Sequence, residues 1–558
     1  MMPSPSADRQ APFAERRPLR AEPSAVARSS PKRRRRPFKL GLALLPVLFL
    51  AALPVAASDP ASLLRERLAA EAGIGDPRLA EALDAFYRLR DHAPAWTKPS
   101  RRRALIKSLG EVSADGLDPD DYLTPTLRDA WAGAASGFDA DTELLASRAA
   151  LTALSHLLNG KVDPRRLNPD WNFHARQIDT EAELRGLSDA IEQGRLAELF
   201  AEAHPPHPLY DQLKRGLRRL RDVQQNGGWP AIEPGETLKP GMTDPRVAQL
   251  RQRLLAGGYA MAESAEPETF DSALEQAVKQ FQREYRLTAD GAVGKATLAE
   301  LNAPIEWRID QMRVNLERAR WLLHERSREF LLVDIAGFEA TYFKDGVPVW
   351  HTRVQVGQPF RKTPEYRSQI THLDFNPTWT VPPTIFRKDI VPKVRRDIGY
   401  LAANRLRVLD AATGLEISPA QVDWSAPKGI LIRQDAGPKS ALGRVVIRFA
   451  NPYAVYLHDT PHSAIFEHDE RAVSSGCIRV EHPLELTERL LADPVEWSRE
   501  KIEAAIATGR TQRVHLPRAV TVLLAYWSVD VHDDGRVSFR RDIYGRDAAV
   551  LAELDRGL

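Results

Sequence analysis

The sequence predicts a multi-domain α+β protein: a helical N-terminal region, a small helical unit, and a mostly-β C-terminal domain interrupted by an insertion. At 558 residues the chain is too long for one hydrophobic core. Apolar residues recur at three- and four-residue spacing from about Pro60 to Asn226, the signature of amphipathic helices. From Phe330 the pattern changes to β-branched and aromatic runs separated by turn residues. With 43% hydrophobic and 27% charged residues, the composition is that of ordinary globular protein.

The net charge of +3 hides an asymmetry, because residues 1–39 hold eleven Lys and Arg against three Asp and Glu, leaving about −5 on the rest. No basic field for nucleic acid remains once this tail is set aside. The basic stretch 1–37 includes Lys32-Arg33-Arg34-Arg35-Arg36, and residues 38–57 then run apolar to the small residues Val55-Ala56-Ala57. That order is expected of a secretory signal or of an uncleaved signal anchor, about 20 residues being enough to span a bilayer core. In either case the chain after Ala57 is expected on the exported side, with the membrane met only through this segment. One cysteine permits no intramolecular disulfide, so its thiol is left free for chemistry.

Residues 60–226 read as a helical domain. Within it the cluster Asp118, Asp120 and Asp121 lacks the ligand spacing of a calcium loop and reads as a capped turn. Gly227-Gly228-Trp229-Pro230, Pro234-Gly235 and Pro240-Gly241 punctuate the chain as linkers do. Residues 238–302 form a compact unit, with Val247, Leu250 and Leu254 on one helix face and Leu274, Val278 and Phe281 on another. A helix is expected from Ile305 through Arg326 with one apolar side. The β domain spans 328–527, opening with Phe330–Ile335, Ala340–Phe343, a turn at Lys344-Asp345-Gly346, and Val349–Val356. Residues 376–433 break this rhythm as an insertion that contains an amphipathic stretch from Ile385 to Val394. Strands are expected over Gly443–Phe449 and Tyr453–His458, and a helix over Leu484–Leu491. Residues 528–558 remain as a C-terminal extension with no readable chemistry.

The chemistry concentrates in Tyr456-Leu457-His458-Asp459-Thr460-Pro461 and Ser474-Ser475-Gly476-Cys477-Ile478-Arg479-Val480. A thiol attacks as its thiolate, and a histidine nineteen positions upstream supplies a candidate base that would favour the charged sulfur by ion pairing. A glycine before the cysteine permits a tight turn that aims successive N–H groups, those of Gly476 and Cys477, at a developing oxyanion. His462, His468 and His482 have no convincing metal-ligand spacing, so no metal and no cofactor is expected.

The residues His458, Ser474, Gly476, Cys477, Ile478 and Arg479 resemble the signature of the YkuD-type L,D-transpeptidases, with Ser475 standing where most of that family has histidine. The run Ala277-Val278-Lys279-Gln280-Phe281-Gln282 with Asp290-Gly291, Val293-Gly294 and Thr297 is similar to the small helical peptidoglycan-binding domain. Trp96, Asp115–Tyr122 and Gly160–Pro164 resemble the N-terminal scaffold region of the large periplasmic branch of the family. The resemblance implies a cysteine transpeptidase of the bacterial periplasm or cell envelope, active in peptidoglycan biosynthesis and cell shape, and open to acylation by carbapenems. It implies 3→3 cross-links made through a Cys477 thioester, with donor stem peptides and an acceptor diaminopimelate amine as partners and wall-synthesis proteins as further candidates. An L,D-carboxypeptidase, a lipoprotein-to-peptidoglycan ligase and a catalytically idle wall-binding scaffold are the alternatives. His458 is then the base, since Ser475 cannot be, and the backbone carbonyl of Asp459 holds its imidazole. The insertion becomes a capping subdomain over the site. Tyr456, Ser474, Ser475, Arg479 and Trp379 are candidate substrate-binding residues. Arg479 would contact a substrate carboxylate or brace the loop, and Trp379 would line the cleft or simply pack.

Overall fold

The computed structural model describes residues 59–71, 76–132, 138–173, 179–324 and 328–557; the basic tail 1–37 and the apolar segment 38–57 lie outside them. Among the described residues no helix is long and apolar enough to cross a membrane. The helical region begins its helices where an aspartate can accept first-turn N–H groups that have no helical partner. Asp76 caps Pro77–Leu89, Asp139 caps Ala140–Asn159, and Asp179 caps Thr180–Gln193. The acidic cluster is the capped turn the sequence predicts: Asp118 accepts from the Asp120 N–H at 3.0 Å, and Asp121 pairs with Lys161 at 2.6 Å. The small unit consists of helices Pro245–Ala256, Ser272–Glu284 and Lys295–Leu301, the first two capped by Asp244 and Asp271.

Helix Ile305–Leu322 departs from the expected one-sided helix. It ends at Leu322, residues 325–327 being outside the description, and from Val314 to Leu322 it is buried around its circumference, Asn315, Glu317, Arg318 and Arg320 included. The helical region, the small unit and this helix share one continuous hydrophobic core, which also takes in Val529, Val531, Val537, Phe539, Val550 and Leu554.

The β domain has its own core. Its strands are β1 (Glu329–Asp334), β2 (Glu339–Lys344), β3 (Val347–Gly357) and β4 (Tyr366–Phe375), followed in the insertion by β5 (Trp379–Thr380), β6 (Leu406–Asp410) and β7 (Ile430–Gln434). The main sheet resumes with β8 (Val445–Phe449), β9 (Leu457–His458), β10 (Ala472–Ser474), β11 (Ile478–Val480) and β12 (Gln512–Ala525), and the chain adds the hairpin β13 (Val529–Val531) and β14 (Val537–Phe539). The main sheet runs β10-β3-β11-β9-β8-β4-β12-β1-β2, and β2 also pairs with β3, so every strand but β10 joins a closed ring. The insertion folds as a sheet β5-β7-β6 with helical turns over Pro383–Arg396, around a third core of Val381, Ile390, Val394, Leu401, Leu406, Val408 and Ile432. It is a subdomain in its own right.

The expected strand Tyr453–His458 shrinks to Leu457–His458. The reason is local: the Asn451 side-chain carbonyl accepts the N–H groups of Tyr453 and Val455 at 3.1 and 3.0 Å, taking them from a ladder.

The C-terminal extension is embedded rather than appended. Arg540 forms an ion pair with Asp334 at the end of β1, and Asp547 pairs with Arg318 of the central helix at 2.6 Å while accepting from the Ser528 hydroxyl at 2.7 Å. The Arg540 and Asp334 side chains are only 6% and 12% exposed, so Arg540→Leu strands a buried carboxylate without its partner. The expected cost is about 3–5 kcal/mol, read as an earlier urea transition of the full-length chain; an unchanged transition would contradict it.

Candidate active site

Strands β10 and β11 flank β3, and the loop joining them carries Ser474-Ser475-Gly476-Cys477. Gly476 sits at φ +111°, a backbone conformation that L side chains rarely adopt, which is why the position before the cysteine needs glycine. The Ser474 hydroxyl pins the turn. It accepts from the Gly476 N–H at 3.0 Å and donates to the Cys477 carbonyl at 2.7 Å. The Gly476 N–H, expected to donate to an oxyanion, is in the structure committed to Ser474. Among the described residues the Cys477 N–H donates to nothing.

A second loop, Gly357–Thr363, grips the first residue by residue. The Gln358 N–H donates to the Ser474 carbonyl at 3.0 Å, Arg361 to the Ser475 hydroxyl at 2.8 Å, and the Thr363 hydroxyl to the Gly476 carbonyl at 2.9 Å. Arg361 is itself held by Asp389 of the insertion, at 2.6 and 3.0 Å through two guanidinium nitrogens. Asp389 lies in a π-helical turn, Phe386–Ile390. The insertion is thus tied, through one bidentate ion pair, to the residue two before the cysteine.

His458 lies on β9, parallel to and paired with β11, in register with Arg479. The imidazole is buried, and its Nδ1 lies 2.6 Å from the Asp459 carbonyl oxygen. A carbonyl can only accept, so Nδ1 carries the proton and Nε2 keeps its lone pair. Asp459 is fixed in turn: its N–H donates to the Val445 carbonyl at 3.0 Å, and its carboxylate takes the Arg444 N–H and Nε at 2.9 and 2.8 Å.

Burial, then the positive charge of Arg479, push the His458 pKa down to about 3. Burial raises the Cys477 thiol above its ordinary value, opposed by a backbone hydrogen bond from Tyr456 and by the charges of Arg479 and Arg448. Both groups therefore rest neutral, and the Cys477 thiol donates to the Ala454 carbonyl at 3.7 Å. This direction runs against the expected ion pair, because burial disfavours the charged form of each group.

The other expected residues fall in distinct places. Arg479 donates to Gln355 of β3 at 2.7 Å, bracing the loop, while its buried Nε has no partner among the described residues. Tyr456 stacks under the Arg448 guanidinium at 4.3 Å and accepts the Ile478 N–H at 2.9 Å, joining β9 to β11. Trp379 pairs in the insertion sheet and packs against the insertion core, so its packing role is the one the geometry favours. Thr363, Arg361 and Asp389 were not foreseen, because no local pattern names the partner of a side chain across so long an interval. Tyr544, which donates to the Gly357 carbonyl at 2.6 Å, carried no signal at all.

The family profile described as "L,D-transpeptidase catalytic domain" (YkuD) matches residues 328–497, "Scaffold domain" matches 81–217, and "Putative peptidoglycan binding domain" matches 243–301. A Haemophilus influenzae protein named "Putative L,D-transpeptidase" is 31% identical over 229 residues. The match covers 40% of this chain and 46% of that protein, so the chain spans less than half of its relative's length. Among solved structures, an L,D-transpeptidase of Xylanimonas cellulosilytica is similar at 16% identity over 52% of this chain and 99% of its own, with a TM-score of 0.17. One from Stackebrandtia nassauensis is similar at 12% identity over 53% and 96%, with a TM-score of 0.21.

The neutral resting pair has a pH signature. A raised thiol pKa means thiolate is lost as pH falls through a value above the ordinary one, so iodoacetamide alkylation of Cys477 is expected to be slow at neutral pH and to climb through the alkaline range. A rate that stays high down to acid pH would demonstrate an ion pair instead.

Proposed function

Residues 328–497 are an L,D-transpeptidase catalytic domain of the YkuD type, accompanied by a peptidoglycan-binding domain and a scaffold domain, and from that premise we propose that the chain is a cysteine L,D-transpeptidase of bacterial cell-wall assembly that forms 3→3 cross-links. The observation that supports this reading most is the tautomer of His458. With Nδ1–H committed to the Asp459 carbonyl, Nε2 is a proton acceptor on the strand adjoining the one that Cys477 opens.

In this reading Cys477 attacks the amide carbonyl between the third residue of a donor stem and its terminal D-alanine. The C–S bond forms as the thiol proton passes to His458, and the charge that develops on oxygen faces the Cys477 N–H. The proton then goes to the departing D-alanine nitrogen as the C–N bond breaks, leaving a thioester. A diaminopimelate amine of an acceptor stem attacks that thioester, and its proton returns through His458 to the sulfur. Because both groups rest neutral, proton transfer accompanies attack instead of preceding it. Nearby Arg479 and Arg448 favour the sulfur anion while it exists.

The insertion serves as a cap that keeps water from the thioester until the amine arrives, and its anchor is Asp389 on Arg361. The small helical unit holds the enzyme near its polymeric substrate. Residues 38–57 deliver the catalytic region to the cell envelope.

Incubating the full-length chain with purified disaccharide-tetrapeptide should yield cross-linked dimer and free D-alanine, read by mass spectrometry; free tripeptide with no dimer would make the protein a carboxypeptidase. Cys477→Ala should abolish product while retaining sedimentation with peptidoglycan sacculi. His458→Gln should slow turnover by about a hundredfold or more. A carbapenem should add its mass to wild type and not to Cys477→Ala, and equal product from Cys477→Ala would overturn the reading.

A further inference from the structure

The geometry points to a catalytic duty for the C-terminal extension: through Tyr544 and Thr363 it orients the Gly476–Cys477 peptide so that the Cys477 N–H is the oxyanion donor. This rests on the reading of Cys477 as an acyl-transfer nucleophile.

The hydrogen bonds admit only one direction each. The Thr363 hydroxyl accepts from the Gly357 N–H at 2.9 Å, so its single proton goes to the Gly476 carbonyl, also at 2.9 Å. The Tyr544 hydroxyl accepts from the Thr363 N–H at 3.1 Å and gives its proton to the Gly357 carbonyl at 2.6 Å. Tyr544 is placed by its own N–H, which donates to the Tyr526 hydroxyl at 3.0 Å, and that hydroxyl donates to Asp542 at 2.7 Å. There is no slack in the second loop: a Cβ on Gly357 would lie 2.1 Å from the Arg361 carbonyl oxygen and 2.7 Å from the Thr363 nitrogen.

A trans peptide is planar, and its C=O and N–H point in opposite directions. Holding the Gly476 oxygen against Thr363 therefore sets the direction of the Cys477 N–H, which belongs to the same peptide unit. The Gly476 N–H is spent on Ser474, and the Cys477 N–H meets no acceptor among the described residues. Without Thr363 the peptide plane is free to rotate about its flanking bonds, and glycine at 476 makes that rotation easy. Tyr544 and Thr363 are positioning residues in this scheme, and Tyr544 lies beyond the matched catalytic segment 328–497.

Two reactions of Cys477 separate orientation from general damage. Acylation by a carbapenem creates an oxyanion, whereas alkylation by iodoacetamide does not. In the full-length chain, Thr363→Val should slow acylation by about 10- to 100-fold while alkylation stays within about twofold of wild type. Thr363→Ser, which keeps the hydroxyl, should restore acylation. Tyr544→Phe, which loosens the loop but leaves the Thr363 hydroxyl, should slow acylation by about three- to tenfold with alkylation unchanged. Wild-type acylation in Thr363→Val, or equal slowing of both reactions, overturns the inference alone. A wild type that alkylates but is not acylated overturns the underlying nucleophile reading and this inference with it.

Discussion

A helix buried on every side must have each of its charges answered, because an uncompensated ion in a low-dielectric interior costs several kcal/mol. Helix Ile305–Leu322 carries Arg308, Glu317, Arg318 and Arg320 into such a place, and the partners it recruits organise the molecule. Glu317 takes Arg320 and the Val162 N–H, which fastens the helical region. Arg318 takes Asp547, and Asn315 donates to the Ser528 hydroxyl at 2.8 Å while accepting the Ser528 N–H at 3.0 Å. The need to satisfy one helix thereby fixes the path of the chain after β12. That path sets Tyr544 beneath the loops of the candidate site.

The site itself is assembled from parts far apart in sequence by short, directional bonds. Ser474 and Gly476 shape the nucleophile loop locally. Gln358, Arg361 and Thr363 then clamp it from the loop after β3, and Asp389 reaches it from the insertion through Arg361. Orientation comes from hydroxyls and carbonyls whose donor and acceptor roles are forced, and charge enters through Arg479 and Arg448 at a distance from sulfur.

Local chemistry was legible in the sequence and long-range chemistry was not. A glycine before a lone cysteine announced a tight turn. Residue spacing likewise located the helices, the switch to β structure and the insertion. The Tyr453–Tyr456 stretch misled because its residue types favour a strand, while the Asn451 side chain four residues before Val455 outcompeted the ladder. Gly476 looked like an oxyanion donor because sequence shows which N–H groups exist and not which are already engaged. Thr363 and Tyr544 stand 113 and 68 residues from Gly476, and no periodicity records a hydrogen bond across such intervals. Burial of His458 is equally invisible in sequence, and it is what holds the imidazole neutral.

Closure of the main sheet through the β2–β3 pairing has a consequence for selectivity. Extended peptides bind many open sheets by adding themselves as an extra strand, a mode that reads backbone and tolerates most side chains. A ring offers no such free border along most of its length, and the one strand of the main sheet outside it, β10, is three residues long. On the proposed reading, a stem peptide is therefore recognised by fixed side chains around the Cys477 loop and not by strand addition to the ring.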